Sequence, residues 1–356
     1  MNHFPLAIIG SGTFGLAGAY YTSPRLPILL LDAHTPPHTF GAHHGETRLF
    51  RYLYQTHDYQ ILLNRAKALW QDLERKHDAG LLQRCGVVNL AYEGHPMPDN
   101  CRQMAEAYDL PYEMMSAAEV NRRWSGWRVP AHYRAIFEPE AGYSDTDKTL
   151  RLFLHHAKEH GATTAFNNPV LAIEPKGERF LIITQTKRFV ADKLVISAGT
   201  WVNRIQGLGW EIPFTPVRKT FAWYDAPQKY HQQQGFTGFT AITENGIYYG
   251  FPDAGAGLKV GRHDEGEIMA TPLMQSAFGT YPSDAGDTNA FLANFLPEVG
   301  ALREGKVCSY DRSAGEDFII QKHPEHESIL LLSGFSGHGF KFAPVIGEQI
   351  ATFALA

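Results

Sequence analysis

The stretch that decides the fold is "PLAIIGSGTFGLAGAYY", residues 5–21. Residues 6–9 form a continuous apolar run, which is typical of a strand buried on both faces. The run leads into a turn rich in glycine, and small residues then follow as in a closely packed helix. A second apolar run, residues 28–31, ends at Asp32. Strand, glycine turn, helix, strand and acid in this order predict a βαβ unit.

The turn carries three glycines spaced as Gly10, Gly12 and Gly15. In such a motif the first glycine permits the tight turn, the second lets a pyrophosphate approach the backbone, and the third lets the helix pack on the strand. The helix N-terminus then favours the phosphate charge, and the carboxylate of Asp32 stands where it would bind ribose hydroxyls. We therefore predict dinucleotide binding, with an ordinary glycine turn as the plainer alternative.

The organisation of the chain favours FAD over NAD as the dinucleotide. The last predicted strand and helix, residues 329–353, fit the same layer as the first βαβ unit, which is typical of flavoproteins of the glutathione-reductase type. Residues 191–202 predict a strand that ends at Gly199, and a glycine there lets the backbone pass close to a cofactor. We predict an α/β protein with an FAD-binding Rossmann-like domain and an inserted α+β substrate domain built on a mixed sheet. The predicted FAD-binding domain comprises residues 1–80, 145–215 and 318–356, and the predicted substrate domain comprises residues 81–144 and 216–317.

Length and composition exclude several classes of protein. The 356 residues, 44% apolar and 19% charged, suit a folded protein of two domains. A net charge of −5 gives no basis for binding nucleic acid or an anionic membrane. No apolar run reaches the roughly 18 residues of a membrane span, and the N-terminal segment lacks the features of a signal peptide. Three cysteines are poor material for a disulfide framework, so we expect a cytoplasmic protein.

Two cationic segments are candidates for binding an anion. In "SGHGFKFAPVIGE", Lys341 precedes a helix predicted to start near Pro344, and a lysine beside a helix N-terminus suits a carboxylate or a reduced flavin ring. In "HHGETRLFRY", Arg48 and Arg51 are of the type that grips a carboxylate through two parallel hydrogen bonds. The plainer alternatives are a solvated lysine at a helix start and a pair of surface arginines.

A third segment, "LKVGRH", alternates as a strand does and places Lys259 and His263 on one face. If this face points inward, the lysine must meet a charge, water or a cofactor, because burying it unpaired is costly. The plainer alternative is that this face of the strand is exposed to solvent. His156 and His160 stand four residues apart on a predicted helix, but nothing acidic or cysteine-rich completes a metal site. We expect no metal and predict that both are surface histidines.

With these segments assembled, the chain resembles the monomeric sarcosine oxidase family of FAD-dependent amine oxidases, from the glycine motif to the final helix. The most specific pieces are "DAHTPPHTFGAHHGETRLFR", "VRKTFAWY", "YYGFP", "CSYDRSAGEDFII" and "SGFSGHGFKFA". The resemblance implies FAD linked covalently from a cysteine sulfur to the 8α-methyl of the flavin, and Cys308 occupies that cysteine's place. The pKa of such a thiol must be lowered by positive neighbours, for which Lys306 and Arg312 are candidates.

The resemblance also implies roles for individual residues. Arg51 and Lys341 match the pair that binds the substrate carboxylate, and Arg48 matches a second arginine close to the flavin. Lys259 matches the lysine that activates dioxygen by stabilising charge as it develops on oxygen. The other implied site residues are Tyr249, Tyr310, His338 and His263 around the substrate, and Val170 and Gly199 beside the cofactor.

The implied reaction is the oxidation of an N-methyl amino acid that binds as the free amine. The products are the primary amino acid, formaldehyde and hydrogen peroxide. We expect a monomer acting on a bulky aromatic substrate, with N-methyl-L-tryptophan as the favoured case. The alternatives are a sarcosine oxidase, a related flavin amine dehydrogenase with an acceptor other than oxygen, and a non-catalytic nucleotide-binding module, which would leave the cationic residues unexplained.

Overall fold

The computed structural model describes residues 2–356, whose strands form sheets of eight, nine and three strands. The eight-stranded sheet is assembled from distant parts of the chain. Its strands are β1 (Asn2–Ile9), β2 (Ile28–Leu31), β9 (Thr163–Ala165), β10 (Val170–Lys176), β11 (Arg179–Thr184), β12 (Arg188–Ile196), β19 (Ile319–Lys322) and β20 (Ile329–Ser333).

Five of these strands run parallel, in the order β9, β2, β1, β12 and β20. Strands β10 and β11 continue the sheet antiparallel beyond β12, and β19 pairs antiparallel with β20. Residues 6–9 and 28–31 are buried, as expected for parallel strands covered on both faces. The predicted βαβ unit is therefore present, and the strand at residues 329–333 lies in the same sheet.

Helices cover one face of this sheet. They are α1 (Thr13–Thr22), α2 (His57–His77), α5 (Thr146–Glu159) and α7 (Ala343–Leu355). Helix α1 packs on α7 at a small residue, because a Cβ added at Gly18 would lie 2.7 Å from a methyl carbon of Ile350. The first and last helices of the structure are thus in direct contact.

The nine-stranded sheet is mixed, because β14 pairs parallel with β5 and the other neighbours pair antiparallel. Its strands are β5 (Val87–Tyr92), β6 (Glu113–Ser116), β7 (Tyr133–Glu138), β13 (Phe214–Tyr224), β14 (Gly238–Thr243), β15 (Gly246–Phe251), β16 (Leu258–Arg262), β17 (Glu267–Ile268) and β18 (Leu302–Ser313). The remaining helices are α3 (Met97–Ala107), α4 (Ala117–Arg123) and α6 (Ser283–Phe295). A small antiparallel sheet joins β3 (Thr47–Phe50), β8 (Gly142–Asp145) and β4 (Leu82–Gln83).

The two large sheets draw on different parts of the chain. The eight-stranded sheet uses segments within residues 2–31, 163–196 and 319–333, and the mixed sheet uses segments within residues 87–138 and 214–313. The boundaries of the two domains stay a prediction. Across residues 2–356, no helix combines the length and the apolar content that crossing a bilayer requires.

The prediction that His156 lies on the surface is wrong. Its side chain is 6% exposed and packs against the rings of Tyr20 and His160, each with a centroid distance of 4.1 Å. Burial lowers the pKa of His156 to about 4, so the imidazole is neutral at physiological pH. Its position on the buried face of α5 explains the error, because spacing alone does not show which face of a helix is covered.

Candidate active site

Alternate side chains of strand β18 face two different cavities. Ser309 and Asp311 line a cavity of about 620 Å³, and Cys308 and Tyr310 line another of about 530 Å³. This follows from strand geometry, because successive residues point to opposite faces. We call the larger space the glycine cavity and the smaller one the cationic cavity, after the residues that line them.

The glycine cavity brings together five predicted cofactor residues, which are Gly10, Gly12, Asp32, Val170 and Gly199. Gly10 has a φ of +95°, and a Cβ there would lie 2.3 Å from the carbonyl oxygen of Ser197, so only glycine fits. Gly15 lies beneath the turn, where an added Cβ would be 1.9 Å from the carbonyl oxygen of Gly10. At Gly199 an added Cβ would meet open space.

Asp32 is an ionised acceptor at the edge of the glycine cavity. Its carboxylate accepts hydrogen bonds from the backbone N–H groups of Ser11 (2.6 Å) and His34 (2.8 Å), and Nε2 of His38 lies 3.3 Å away. Burial alone would raise the pKa of Asp32, but these hydrogen bonds lower it below its usual value. A glycine cradle at the N-terminus of α1 and an acidic acceptor beyond it fit the pyrophosphate and ribose of a dinucleotide.

The cationic cavity is lined by nearly all of the predicted catalytic and substrate-binding residues. They are Arg48, Arg51, Tyr249, His263, Tyr310, His338 and Lys341, together with Cys308. Lys259 is nearby but does not line either cavity. It is 2% exposed, and its Nζ donates to the carbonyl of Gly45 and approaches Oγ1 of Thr47 at 3.2 Å. Burial, and then the charge of Arg48, lower the pKa of Lys259 well below its ordinary value.

The register of the mixed sheet explains how these residues converge. In the antiparallel ladders Tyr249 lies opposite Gly261, and Trp223 and Phe251 both lie opposite Lys259. Side chains directly opposite each other point to the same face of a sheet. A single face of β13, β15, β16 and β18 therefore carries the side chains of Lys219, Phe221, Trp223, Tyr249, Phe251, Lys259, Cys308 and Tyr310.

Lys341 stands in a short 3₁₀ turn just before α7 and is 5% exposed. Its Nζ donates to the carbonyl of His338 at 2.7 Å and lies 3.3 Å from the hydroxyl of Tyr54. Burial, and then the charge of Arg51, lower the pKa of Lys341 well below its ordinary value. Lys341 Nζ lies 5.1 Å, and the guanidinium carbon of Arg51 6.0 Å, from the Tyr54 ring centroid. Two cations therefore flank one tyrosine, and within residues 2–356 no carboxylate is bonded to either of them.

Arg51 is held by a buried polar chain that the sequence analysis missed. Its Nη1 donates to Oδ1 of Asn89 at 3.3 Å, and Nδ2 of Asn89 donates to Oε1 of Glu138 at 2.9 Å. The other carboxyl oxygen of Glu138 accepts from the backbone N–H groups of Tyr52 and Leu53. The signal in the sequence was an acid at the end of the apolar run "AIFE", since a buried acid must have partners.

Three further groups in the cationic cavity are neutral. Burial lowers the pKa of His338 to about 3, and its ring nitrogens contact the hydroxyl of Tyr54 (2.6 Å) and the carbonyl of Glu316 (2.9 Å). Burial raises the pKa of Tyr249 and of Tyr310 above the ordinary value. The wall formed by these side chains therefore carries no charge at neutral pH.

The prediction that positive neighbours lower the pKa of Cys308 is wrong for this structure. Burial raises the pKa of the thiol, and Arg48, Lys219 and Lys259 oppose this only in part. Neither predicted neighbour takes that role. Lys306 Nζ lies 4.8 Å from the Trp223 ring centroid and 3.3 Å from a carboxyl oxygen of Glu304, and Arg312 donates to the carbonyl of Asp264.

Comparison with known proteins agrees with this architecture. Residues 5–352 match the model of the DAO family, described as FAD dependent oxidoreductase, so the chain belongs to that family and is an FAD-dependent oxidoreductase. It is 39% identical over 354 residues to the N-methyl-L-tryptophan oxidase of Yersinia pestis (strain Pestoides F). The aligned region covers 99% of this chain and 95% of the relative. The family resemblance inferred from the sequence is confirmed.

Solved structures confirm the predicted fold class. NikD, an unusual amino acid oxidase essential for nikkomycin biosynthesis, superposes with a TM-score of 0.88 at 21% identity, covering 100% of this chain and 94% of that chain. The L-proline dehydrogenase of P. horikoshii gives 0.86 at 16% identity, covering 98% and 92%. The glycine oxidase of Geobacillus kaustophilus gives 0.81 at 17% identity, covering 100% and 95%. At these identities the likeness concerns the fold, and the roles of individual residues stay predictions.

Proposed function

We propose that this chain oxidises N-methyl L-amino acids, with N-methyl-L-tryptophan as the preferred substrate, to the primary amino acid, formaldehyde and hydrogen peroxide. The observation that carries the proposal is the pair of cavities on either side of β18. One is a glycine cradle suited to FAD, and the other holds two buried cations suited to a carboxylate. When bound, FAD supplies a two-electron acceptor that dioxygen reoxidises.

Arg51 and Lys341 are proposed to bind the substrate carboxylate. Both flank the Tyr54 ring, and neither has a carboxylate partner in the part of the chain that the structure describes. Because two like charges in a buried space repel each other, a bound carboxylate would relieve the repulsion and make charge-assisted hydrogen bonds. The chain through Asn89 to Glu138 holds Arg51 in place for this contact.

The neutral wall is proposed to select the free amine form of the substrate. His338 with a pKa of about 3, and Tyr249 and Tyr310 with raised pKa values, offer no charge to an ammonium group. The nearby cations disfavour a second positive charge, so they lower the pKa of the bound amine. A neutral amine keeps the electron pair that its oxidation requires.

The rest of the cationic cavity supports a bulky apolar side chain. Its apolar lining consists of Leu49, Met97, Ile242, Ile247, Phe251 and Phe340. The proposed link to Cys308 would bring the flavin ring into part of this cavity of about 530 Å³. The apolar lining beside the remaining space, with a few polar anchors, is typical of small-molecule sites. This favours an aromatic N-methyl amino acid over sarcosine.

Cys308 is proposed to carry FAD as an 8α-S-cysteinyl group, and Lys259 to stabilise charge developing on dioxygen. The overall linkage reaction balances: the thiol and the flavin methyl each lose one hydrogen, a carbon–sulfur bond forms, and dioxygen leaves as hydrogen peroxide. The proposal includes a monomer in the cytoplasm, and gel filtration tests the monomer.

A peroxide assay across sarcosine, N-methyl-L-alanine and N-methyl-L-tryptophan tests the proposed reaction. We expect kcat/KM to be highest for N-methyl-L-tryptophan and formaldehyde to equal peroxide in amount. Flavin that no N-methyl amine bleaches would overturn the proposal. Dye reduction without peroxide under air would replace it with a dehydrogenase. For the linkage, yellow colour should survive acid precipitation in the natural chain and wash off after Cys308→Ala.

A further inference from the structure

Lys219 is a buried lysine that the proposed reaction does not use. It lies on β13 with 3% exposure, and its Nζ donates to the carbonyls of His263 (2.9 Å) and Glu265. Burial lowers the pKa of Lys219 to about 8. Two neutral carbonyl partners compensate poorly for removing an ammonium group from water. Burying the ammonium group of Lys219 therefore costs free energy that these two hydrogen bonds do not recover.

Lys219 lies directly opposite Cys308 in the antiparallel ladder of β13 and β18. The Cβ atoms of such a pair are roughly 4.5–5.5 Å apart, and both side chains point to the same face. Lys219 Nζ also lies 5.5 Å from the ring centroid of Tyr310, two residues further along β18. The ladder pairs β13 with β18 without a shift in register from Phe214 to Trp223, so the relative position of the two side chains is fixed by continuous pairing.

Other charged or titratable groups also face this pair. The charges of Arg48 and Lys259 act on Cys308, and both side chains donate to backbone carbonyls of residues 44 and 45. Tyr249 and Tyr310 also interact electrostatically with the same thiol. The charges of Arg312, Asp264 and Arg262 also act on Lys219. Among the cations acting on the thiol, Lys219 is the one that the sheet register places directly opposite the sulfur-bearing residue.

We propose that Lys219 promotes ionisation of Cys308, its ammonium group stabilising the thiolate across the strand pair so that the sulfur can form the link to FAD. The inference rests on the proposed linkage. In this step the S–H bond breaks, the proton passes to solvent in the cationic cavity, and Lys219 keeps its own hydrogens. No electrons are transferred. Lys219 acts through Cys308 and is therefore a positioning residue.

The test measures the reactivity of Cys308 without requiring enzyme activity. The full-length chain is purified free of FAD from riboflavin-limited cells and treated with iodoacetamide at pH values from 6 to about 10, with alkylation of the Cys308 peptide followed by mass spectrometry. Lys219→Met should slow alkylation about tenfold near pH 7, where Lys219 is mostly protonated, and move its profile to higher pH, because the thiolate loses a nearby cation. Lys306→Met is the control, because it removes a lysine from β18, the strand that carries Cys308. It should leave the alkylation profile unchanged, because Lys306 contacts Trp223 and Glu304.

Adding FAD and following the intact mass gives a second readout, in which Lys219→Met should slow covalent attachment by a similar factor. An unchanged alkylation profile in Lys219→Met, or an equal change in Lys306→Met, would overturn the proposal. If Lys219→Met does not fold, Lys219→Arg decides: its profile should stay in place or move to lower pH, and a move to higher pH overturns the idea. If FAD never attaches to the natural chain, the linkage is wrong, while the alkylation profile still judges Lys219.

Discussion

The substitution Lys341→Met tests the proposed carboxylate site most directly. Nζ of Lys341 donates to the carbonyl of His338 and lies 3.3 Å from the hydroxyl of Tyr54. An ammonium group has three hydrogens, so at least one is left for a ligand. A hydrogen bond from a buried charged group to a carboxylate contributes about 1.5–3 kcal/mol. Its loss should raise the dissociation constant of a carboxylate ligand about 10- to 150-fold.

The assay is a titration of the flavin absorbance with 3-indolepropionate, which cannot be oxidised at an N-methyl group, and with its amide. Lys341→Met should weaken binding of the acid by the stated factor and leave the neutral amide nearly unaffected. Lys322→Met, which changes an exposed lysine on β19, should alter neither affinity. Equal weakening of acid and amide would mean that Lys341 shapes the cavity without binding the carboxylate, and an unchanged affinity for the acid would refute the reasoning.

Three further predictions follow from the described contacts. Lys259→Met should slow flavin reoxidation about 100-fold and flavin reduction far less in stopped-flow measurements, and equal slowing of both would contradict its role with oxygen. Gly15→Ala should lower Tm and FAD content, because its Cβ would lie 1.9 Å from the carbonyl oxygen of Gly10, whereas Gly286→Ala in α6 meets open space and should be tolerated. The neutral histidines should make the protein acid-sensitive. Burial lowers the pKa of His43 and His338 to about 3 and of His156 to about 4, so below the unfolded value of about 6.5 the unfolded chain binds more protons. The free energy of unfolding should fall as pH drops from 6.5 towards 4, by at most about 1.4 kcal/mol per pH unit for each histidine. His156→Phe should make the slope of Tm against pH shallower, and an unchanged slope would contradict this prediction.

The dinucleotide cradle was predictable because its signals are local. The strand, the glycine spacing and Asp32 all lie within the first 32 residues. Gly15 packs against Gly10 of the same turn, whereas the close contact that requires glycine at position 10 is with Ser197, far along the chain. The family resemblance likewise located the residues of the cationic cavity. What it could not give was their mutual geometry, such as Lys259 lying behind the cavity wall.

The surroundings of Cys308 show why the rest was not predictable. Lys306 and Arg312 are close to it in sequence, but neighbours along one strand are spread out by its extended geometry and here make contacts of their own. The cation opposite Cys308 is Lys219, which belongs to another strand, and strand register between distant segments is not encoded in a local pattern. The dominance of burial over charge in the pKa of Cys308 also depends on the complete packing.

The contact between α1 and α7 has a consequence for biosynthesis. Helix α1 is among the first segments to leave the ribosome, yet its buried face is completed by Ile350 of α7, and β20 joins the parallel sheet only after the whole mixed sheet has been made. The nascent chain must therefore keep an incomplete apolar layer protected, by chaperones or by transient collapse, until residues near 350 are available. The glycine cavity is likewise completed late in synthesis, because Leu332 and Phe335 are among the residues that line it.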